Sequence, residues 1–175
     1  MQNQIIEAMK LRRSCRSFKP DPVPRELVEQ VAEAGLWAAS GMGRQAAKIV
    51  AITDKALRDR IADQNRRIGG WPEGFDPFYG APVILAVLFD KKAFTGIYDG
   101  SLVMGNLMLA AHSLGLASIW IHRAKEEFES DEGKALLKSL GVEGEWEGVG
   151  HCALGYAAAS LPAGAPRQPG RIIWA

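Results

Sequence analysis

The sequence predicts a single domain of the α/β or α+β class, in which helices cover a mixed sheet. Helical and strand patterns are interspersed along its 175 residues. That length falls within the roughly 100–200 residues typical of one domain. With 47% hydrophobic and 23% charged residues, the composition is that of an ordinary globular protein. It therefore excludes a disordered, collagen-like or coiled-coil chain.

The first predicted elements are two amphipathic helices joined by an extended segment. Apolar side chains recur at helical spacing within residues 3–11. Three prolines within residues 12–24 then favour an extended loop. Leucines and valines recur at helical spacing from residue 24 to about residue 39, which predicts the second helix.

Short apolar runs predict the strands. Residues 47–53 form one such run, which ends at Asp54, a good N-cap for a helix through Arg67. Residues 81–89 are continuously apolar after Pro82 and predict a strand buried on both faces. The remaining predicted elements follow in chain order: a helix over 99–114, a strand over 117–121, a helix over 130–140, a strand over 148–156 and a Pro/Gly-rich tail that ends in an apolar strand.

Residues 100–121 contain no Asp, Glu, Lys or Arg, and this stretch is long enough to span a membrane. Asn106, His112 and three serines lie within it, and Gly115 falls where a helix should end. The β-branched and aromatic residues that follow are typical of a strand. A buried helix followed by a strand explains this pattern best, and a membrane span is the alternative.

Charge is nearly balanced overall, with 21 Lys and Arg against 20 Asp and Glu, which argues against a dedicated polyanion-binding protein. The charges are nevertheless segregated. Residues 1–25 hold six basic and two acidic side chains, residues 148–175 hold two arginines and no acid, and residues 126–147 are strongly acidic. Converging basic ends would form an anion site. Two cysteines and no signal-peptide pattern predict a cytoplasmic protein with free thiols and no metal site.

Two Gly-x-Gly-x-x-Ala stretches, residues 41–46 and 148–153, match the residue pattern of the dinucleotide-binding fingerprint. That fingerprint binds phosphate only where a strand enters it and a helix leaves it. Here a helix precedes the first stretch, and the second continues as a strand. Neither stretch therefore predicts a nucleotide site, and the sequence contains no P-loop.

The segment Arg-Arg-Ser-Cys-Arg, residues 12–16, is the strongest candidate for a binding site. In an extended chain alternate residues share a face, so Arg12, Ser14 and Arg16 would project together. Two guanidinium groups and a hydroxyl suit a phosphate or a ring edge that carries carbonyl oxygens. A solvated basic loop that caps the first helix is the alternative. Cys15 is either a reactive thiolate among the arginines or a small apolar residue that points away from them.

Five stretches resemble, in order, motifs of the FMN-dependent nitroreductase family. They are RRSCRSFKPDPVP, GLWAASGMGRQ, YGAPVILAVL, DGSLVMGNLMLAAHSLGLASIWIHR and GVGHCALGY with the later Pro166-Arg167. The resemblance implies one nitroreductase-like FMN-binding domain over residues 1–175. Its fold would be an α+β three-layer sandwich, with a mixed central sheet covered by helices. It further implies an intertwined homodimer, in which the tail over about 160–175 extends onto the partner subunit.

The same resemblance implies an FMN-dependent oxidoreductase. Hydride would pass from NADH or NADPH through flavin N5 to a small acceptor such as a nitroaromatic or a quinone, so no protein side chain is assigned a catalytic role. Alternatives are a flavin-binding protein of the same fold without turnover, or a specialised enzyme with a non-nitro substrate. A nucleic-acid binder that uses the basic N-terminus is a third reading, which the near-neutral charge disfavours.

Residue by residue, the resemblance implies that the arginines and Ser14 hold the FMN phosphate, ribityl chain and pyrimidine edge. Ser40 and Gln45 would reach FMN from the other subunit, and the end of the strand over 117–121 would back the flavin and offer it a backbone N–H. The implied cofactor-binding residues are Arg12, Arg13, Ser14, Arg16, Ser40, Gln45, Trp120, Ile121, His122 and Arg167.

The chain departs from the family pattern at positions that would line the substrate side. Gly43 stands where the family usually has Asn, and Ala46 and Ala47 replace the usual Pro-Trp. His122 and Arg123 stand where a small residue often follows Trp-Ile. We therefore expect these positions to affect the choice of acceptor.

Overall fold

Four antiparallel strands form the central sheet of the protein, which a computed structural model describes over residues 3–175. Their order in the sheet is β1-β2-β4-β3, so β1 and β3 are its two edges. The predicted mixed sheet differs from this arrangement in one respect. All three strand pairs are antiparallel, and parallel pairing enters only through a single bridge between Ser14 and Ser118. The strand bounds are β1 Ala47–Ile52, β2 Val83–Asp90, β3 Ala117–Ile121 and β4 Trp146–Gly155.

Six α-helices surround the sheet, and five of them match sequence predictions within a few residues. The predicted N-cap is confirmed, because Asp54 Oδ1 accepts a hydrogen bond of 2.8 Å from the Leu57 N–H. The sequence prediction missed α5, which has only six residues and carries a single large apolar side chain, Phe128. The helix bounds are α1 Gln4–Leu11, α2 Arg25–Leu36, α3 Lys55–Ile68, α4 Gly96–Ser113, α5 Ala124–Glu129 and α6 Asp131–Ser139.

The helices divide into two layers, one on each face of the sheet, which gives the expected three-layer sandwich. An apolar core lies on each face of the sheet. Strand β2 contributes side chains to both cores, as predicted for a strand buried on both faces. Leu85 and Val87 pack against the layer of α2 and α4, whereas Ile84 and Ala86 pack against the layer of α3, α5 and α6. The period-two alternation of a strand therefore places neighbouring side chains in different cores.

The uncharged stretch forms most of α4 and then β3, as the sequence predicts. One side of α4 faces the sheet, where Val103 and Leu107 are buried. Across residues 3–175, no helix combines the length and the hydropathy that a membrane crossing requires.

The prediction of a strand at the C-terminus is wrong. After β4, the chain makes one isolated bridge, between Phe18 and Ala157, and then continues without regular structure to residue 175. Ile172, Ile173 and Trp174 are almost fully exposed. An apolar chain end forms a strand only where a sheet edge pairs with it, and this tail has no such partner among residues 3–175.

We predict that Gly148→Ala destabilises the protein, because β4 and α5 approach each other too closely for a methyl group. A Cβ at position 148 would lie 2.2 Å from the carbonyl oxygen of Ala124. The obstacle is backbone, so relief requires a shift of α5, and overpacking of this kind costs about 1–3 kcal/mol. Thermal unfolding of the variant measures the loss, and an unchanged melting temperature would contradict the close approach.

Candidate functional site

The segment over residues 12–19, here called the arginine segment, docks in extended form onto the free edge of β3. The Cys15 N–H donates to the Ser118 carbonyl at 3.0 Å, and Ser14 and Ser118 form the parallel bridge. Further along, the Lys19 N–H donates to the Tyr156 carbonyl at 2.8 Å. These hydrogen bonds fix the position and the direction of the arginine segment along the edge of the sheet.

Cys15 anchors the arginine segment in the core. Its side chain is 1% exposed and belongs to the core on the side of α3, α5 and α6. Its Sγ lies 3.1 Å from the Ser17 carbonyl oxygen. Cys15 is therefore the small apolar residue that points away from the arginines, and it is not accessible as a nucleophile.

Arg12 lies half-buried at the same sheet edge, and its guanidinium lacks a partner. Arg12 Nη1 is buried and has no hydrogen-bond acceptor among residues 3–175. A buried donor without an acceptor is costly, and most costly when it is charged. Arg12 also acts electrostatically on the thiol of Cys152 in β4. The edge of β3 thus presents a positive, unsatisfied donor next to the half-buried Ser14.

The other predicted arginines are placed differently. Arg13 Nη1 donates to the carbonyls of Lys10 and Arg12, both at 2.6 Å, and so caps the end of α1. The tail crosses this guanidinium at Gly164, where a Cβ would lie 1.8 Å from Arg13 Nη2. Arg16 and Arg167 are exposed, and in the described part of the chain neither makes a side-chain hydrogen bond or an ion pair.

The end of β3 presents backbone rather than side chains. The half-buried Trp120 lies over Gly150, where a Cβ would come within 2.2 Å of the indole Nε1. Ile121 points into the opposite core, so only its backbone is available to a ligand on the Trp120 face. The His122 side chain is exposed. Arg123 has φ of 77°, a left-handed conformation that favours glycine.

A second candidate region is the loop over residues 40–45, which is held by a buried carboxylate. Asp99 Oδ1 accepts from the Gly41 N–H at 3.0 Å, and Asp99 Oδ2 accepts from the Thr95 hydroxyl at 3.1 Å. Ser40 Oγ accepts from the Gln45 N–H at 3.0 Å. Sequence reasoning missed Asp99, because a single carboxylate at a helix start carries no signal of a contact with a distant loop.

The two candidate regions lie at opposite edges of the sheet. The loop over 40–45 leads directly into β1, whereas the arginine segment lies along β3. Three strand spacings of about 4.8 Å separate these edges, or roughly 14 Å. Within one chain, the structure therefore brings Arg12, Ser14 and Trp120 to one edge and leaves Ser40 and Gln45 at the other.

An open cleft of about 820 Å³ lies apart from both regions, beside α6 and the start of β4. Phe128 and Trp146 contribute apolar surface, and lysines and glutamates surround it in equal number. None of the ten predicted site residues lines this cleft, so the sequence and the structure give it no assigned chemistry.

Comparison with known proteins identifies the family to which this fold belongs. The profile of the Nitroreductase family matches residues 9–69 and 70–156. The chain belongs to the nitroreductase family.

Two crystal structures are similar to the chain over nearly all of its length. A nitroreductase with bound FMN from Bacteroides fragilis is 30% identical, covers 99% of this chain and 100% of its own, and superposes with a TM-score of 0.88. A nitroreductase with bound FMN from Desulfitobacterium hafniense is 27% identical, with full coverage of both chains and a TM-score of 0.89.

A curated relative is the FMN reductase (NAD(P)H) of Bacillus subtilis, which is 26% identical over 136 residues. That match covers 67% of this chain but only 53% of the relative. The chain spans between 53% and 59% of the length of the curated relatives it matches.

We predict that the protein loses stability above pH 9 because of Cys152. Burial raises the pKa of this thiol from 9.0 to about 12, against smaller opposing effects of the Ser118 hydrogen bond and of Arg12. The folded state holds the proton that the unfolded state loses, so the contribution is complete below pH 9 and is lost as pH rises toward 12.

Unfolding by urea at pH 8 and at pH 10.5 tests this prediction, with Cys152→Ala as the matched variant. The wild-type protein should lose stability more steeply than the variant, by up to about 1.4 kcal/mol per pH unit. Equal slopes would show that the thiol is not protonated at high pH in the folded protein.

Proposed function

We propose that this chain is an FMN-dependent oxidoreductase that passes hydride from NADH or NADPH to a small acceptor such as a nitroaromatic or a quinone. Membership of the nitroreductase family supports the proposal, as do two similar structures that carry FMN. The observation that carries it is the unsatisfied, buried Arg12 Nη1 beside Ser14 at the β3 edge.

The residues at the β3 edge fit FMN by their chemistry. FMN offers a phosphate and the carbonyl oxygens of a pyrimidine ring, which are acceptors for guanidinium and hydroxyl donors. The buried Arg12 Nη1 needs such an acceptor, and Arg16 and Ser14 extend the donor set along the same segment. We assign Arg12, Arg13, Ser14 and Arg16 together to the phosphate, the ribityl chain and the pyrimidine edge. Arg167 would add a second phosphate contact.

When bound, FMN supplies the atom that accepts and donates hydride, N5 of its isoalloxazine ring. The protein supplies orientation and electrostatics. Trp120, Ile121 and His122 form the backing surface, with the backbone of residues 121–123 as its polar part. The N–H groups of His122 and Arg123 have no acceptor within residues 3–175 and remain available to a ligand. The positive charge of Arg16 would stabilise a negatively charged ring edge.

A complete site requires a second copy of the chain. Ser40 and Gln45 lie at the opposite sheet edge from the arginines, so in this proposal they reach the FMN held by the partner subunit. Exposed apolar surface supports the same conclusion, because isolated chains rarely leave large apolar patches open to water. Helix α1 buries no residue, and exposed side chains on α1, α4 and the tail include Ile5, Ile6, Met9, Ile97, Tyr98, Leu102, Ile172, Ile173 and Trp174.

The loop over residues 43–47 would line the acceptor side. Gly43 has φ of 66°, and a Cβ at this position would meet nothing within 4 Å. Ala46 is buried, and Ala47 begins β1. Gly43, Ala46 and Ala47 are smaller than the residues that the family usually carries at these positions. In this proposal they leave an open, apolar surface on which a flat acceptor can bind.

Substitution of Arg12 or Arg16 by Ala tests the cofactor site. The loss of a charge-assisted hydrogen bond costs roughly 1.5–3 kcal/mol, so each variant should bind FMN about 10- to 150-fold more weakly. Arg25→Ala is the matched control, because Arg25 is exposed and pairs with Glu29 at 2.7 Å, outside the arginine segment. Titration of FMN into the apo-protein gives the dissociation constants.

The same preparation separates the alternative functions. Purified protein should be yellow, with absorbance at about 450 nm that bleaches when NADH or NADPH is added. Yellow protein that does not bleach would support a flavin-binding protein without turnover. Colourless protein that takes up no FMN would contradict the proposal.

Removal of residues 168–175 tests the role of the tail in the homodimer. This truncation keeps Leu161, which packs on the core, and Gly164, which covers Arg13. The truncated chain should dissociate more readily in sedimentation equilibrium and should melt at a lower temperature with FMN present, because a ligand that binds only the native dimer stabilises it. An unchanged dimer of unchanged stability would assign the apolar tail no part in association.

A further inference from the structure

A cluster of polar side chains is buried beneath the end of β3, between α3, α5 and β4. Asn65, Glu127 and His151 are each fully inaccessible to water. His151 Nε2 lies 3.4 Å from Glu127 Oε2, and the rings of Phe78 and Phe128 lie 5.3 and 5.9 Å from the imidazole. Burying a carboxylate and an imidazole is expensive, and an apolar core would be at least as stable. The cluster therefore calls for a role beyond packing.

Asn65 connects this cluster to the turn that follows β3. Its Nδ2 donates to Glu127 Oε2 at 3.2 Å and to the His122 carbonyl at 3.0 Å. Its Oδ1 faces the Arg123 Nε at 3.4 Å. Because both Nδ2 acceptors are oxygens, the amide has only one orientation that satisfies them. Glu127 thus holds Asn65, and Asn65 holds the turn.

The turn itself needs such support. Arg123 adopts a left-handed backbone, which costs energy in a residue with a side chain. Its guanidinium lies over the ring of Trp71, 4.1 Å from the centroid. The Glu127 N–H also donates to the Arg123 carbonyl at 3.0 Å. Contacts from α3, α5 and the loop after α3 therefore converge on this one residue.

Because the peptide bond between His122 and Arg123 is planar, the hydrogen bond from Asn65 to the His122 carbonyl also fixes the direction of the Arg123 N–H. The bond between His122 and Arg123 is trans, so the His122 carbonyl and the Arg123 N–H point in opposite directions. Asn65 draws the carbonyl inward, and the Arg123 N–H is consequently directed away from the buried cluster. That N–H has no acceptor among the described residues.

We propose that Asn65, held by Glu127, is a positioning residue that fixes the His122–Arg123 peptide and so aims a backbone N–H at the flavin. This inference rests on the proposed function, because it assumes that the end of β3 backs FMN. Asn65 makes no contact with the ligand in this account. It acts through the peptide plane.

Asn65→Leu tests the proposal, with Gln64→Leu as the matched control. Both residues are buried amides in α3 that donate hydrogen bonds toward α5. Gln64 Nε2 donates to the Glu127 carbonyl at 3.2 Å and to Ser130 Oγ at 2.9 Å, and it makes no hydrogen bond to the turn at His122. The two variants should lose similar thermal stability, which measures the structural cost alone.

Flavin properties should separate the two variants. With FMN as the ligand, Asn65→Leu should alter the absorption spectrum of the bound flavin and weaken its binding about threefold to tenfold, the effect of one lost hydrogen bond. Its single-turnover reduction by NAD(P)H should slow by a similar factor. Gln64→Leu should retain the wild-type spectrum, affinity and rate.

Equal flavin properties in the two variants would overturn the proposal. If Asn65→Leu fails to fold, Asn65→Ala decides in the same assays, with Gln64→Ala as its control, since it removes the donor to His122 without inserting a larger side chain. Wild-type protein that binds no FMN would overturn the proposed function instead. Wild-type protein that binds and reduces FMN, with Asn65 variants that behave like Gln64→Leu, would overturn only the role of Asn65.

Discussion

The docking of the arginine segment onto the edge of β3 is the constraint on which the candidate site depends. One hydrogen bond, from the Cys15 N–H to the Ser118 carbonyl, sets the register of the segment against the sheet. Burial of Cys15 in one core then leaves Arg12 and Ser14 at the edge itself. The placement of Arg12 and Ser14 thus follows in part from the burial of their neighbour.

The order of the strands places the two candidate regions at opposite edges of one chain. With β1 and β3 at opposite edges, the Asp99-held loop and the arginine segment cannot meet within one sandwich. The chain also exposes apolar residues on α1, α4 and the tail. Association of two copies would satisfy both features at once, because it covers the apolar surface and supplies each β3 edge with a second loop.

Local signals predicted most of the fold. The Asp54 cap, the strand over 117–121 and the doubly buried β2 follow from side-chain chemistry and periodicity within short windows. The Asn65–Glu127–His151 cluster was not predictable in this way, because its members lie in three elements far apart in the sequence. Glu127 in particular resembles its exposed acidic neighbours, and only the packing of α5 on β4 shows that it is buried.

A crystal structure of the protein grown with FMN tests the central claim most directly. The account predicts a flavin at the end of β3, with Arg12 and Ser14 of one chain and Ser40 and Gln45 of a second copy around it. A flavin bound instead in the cleft beside Phe128 and Trp146, or bound by a single chain without a partner, would contradict the account.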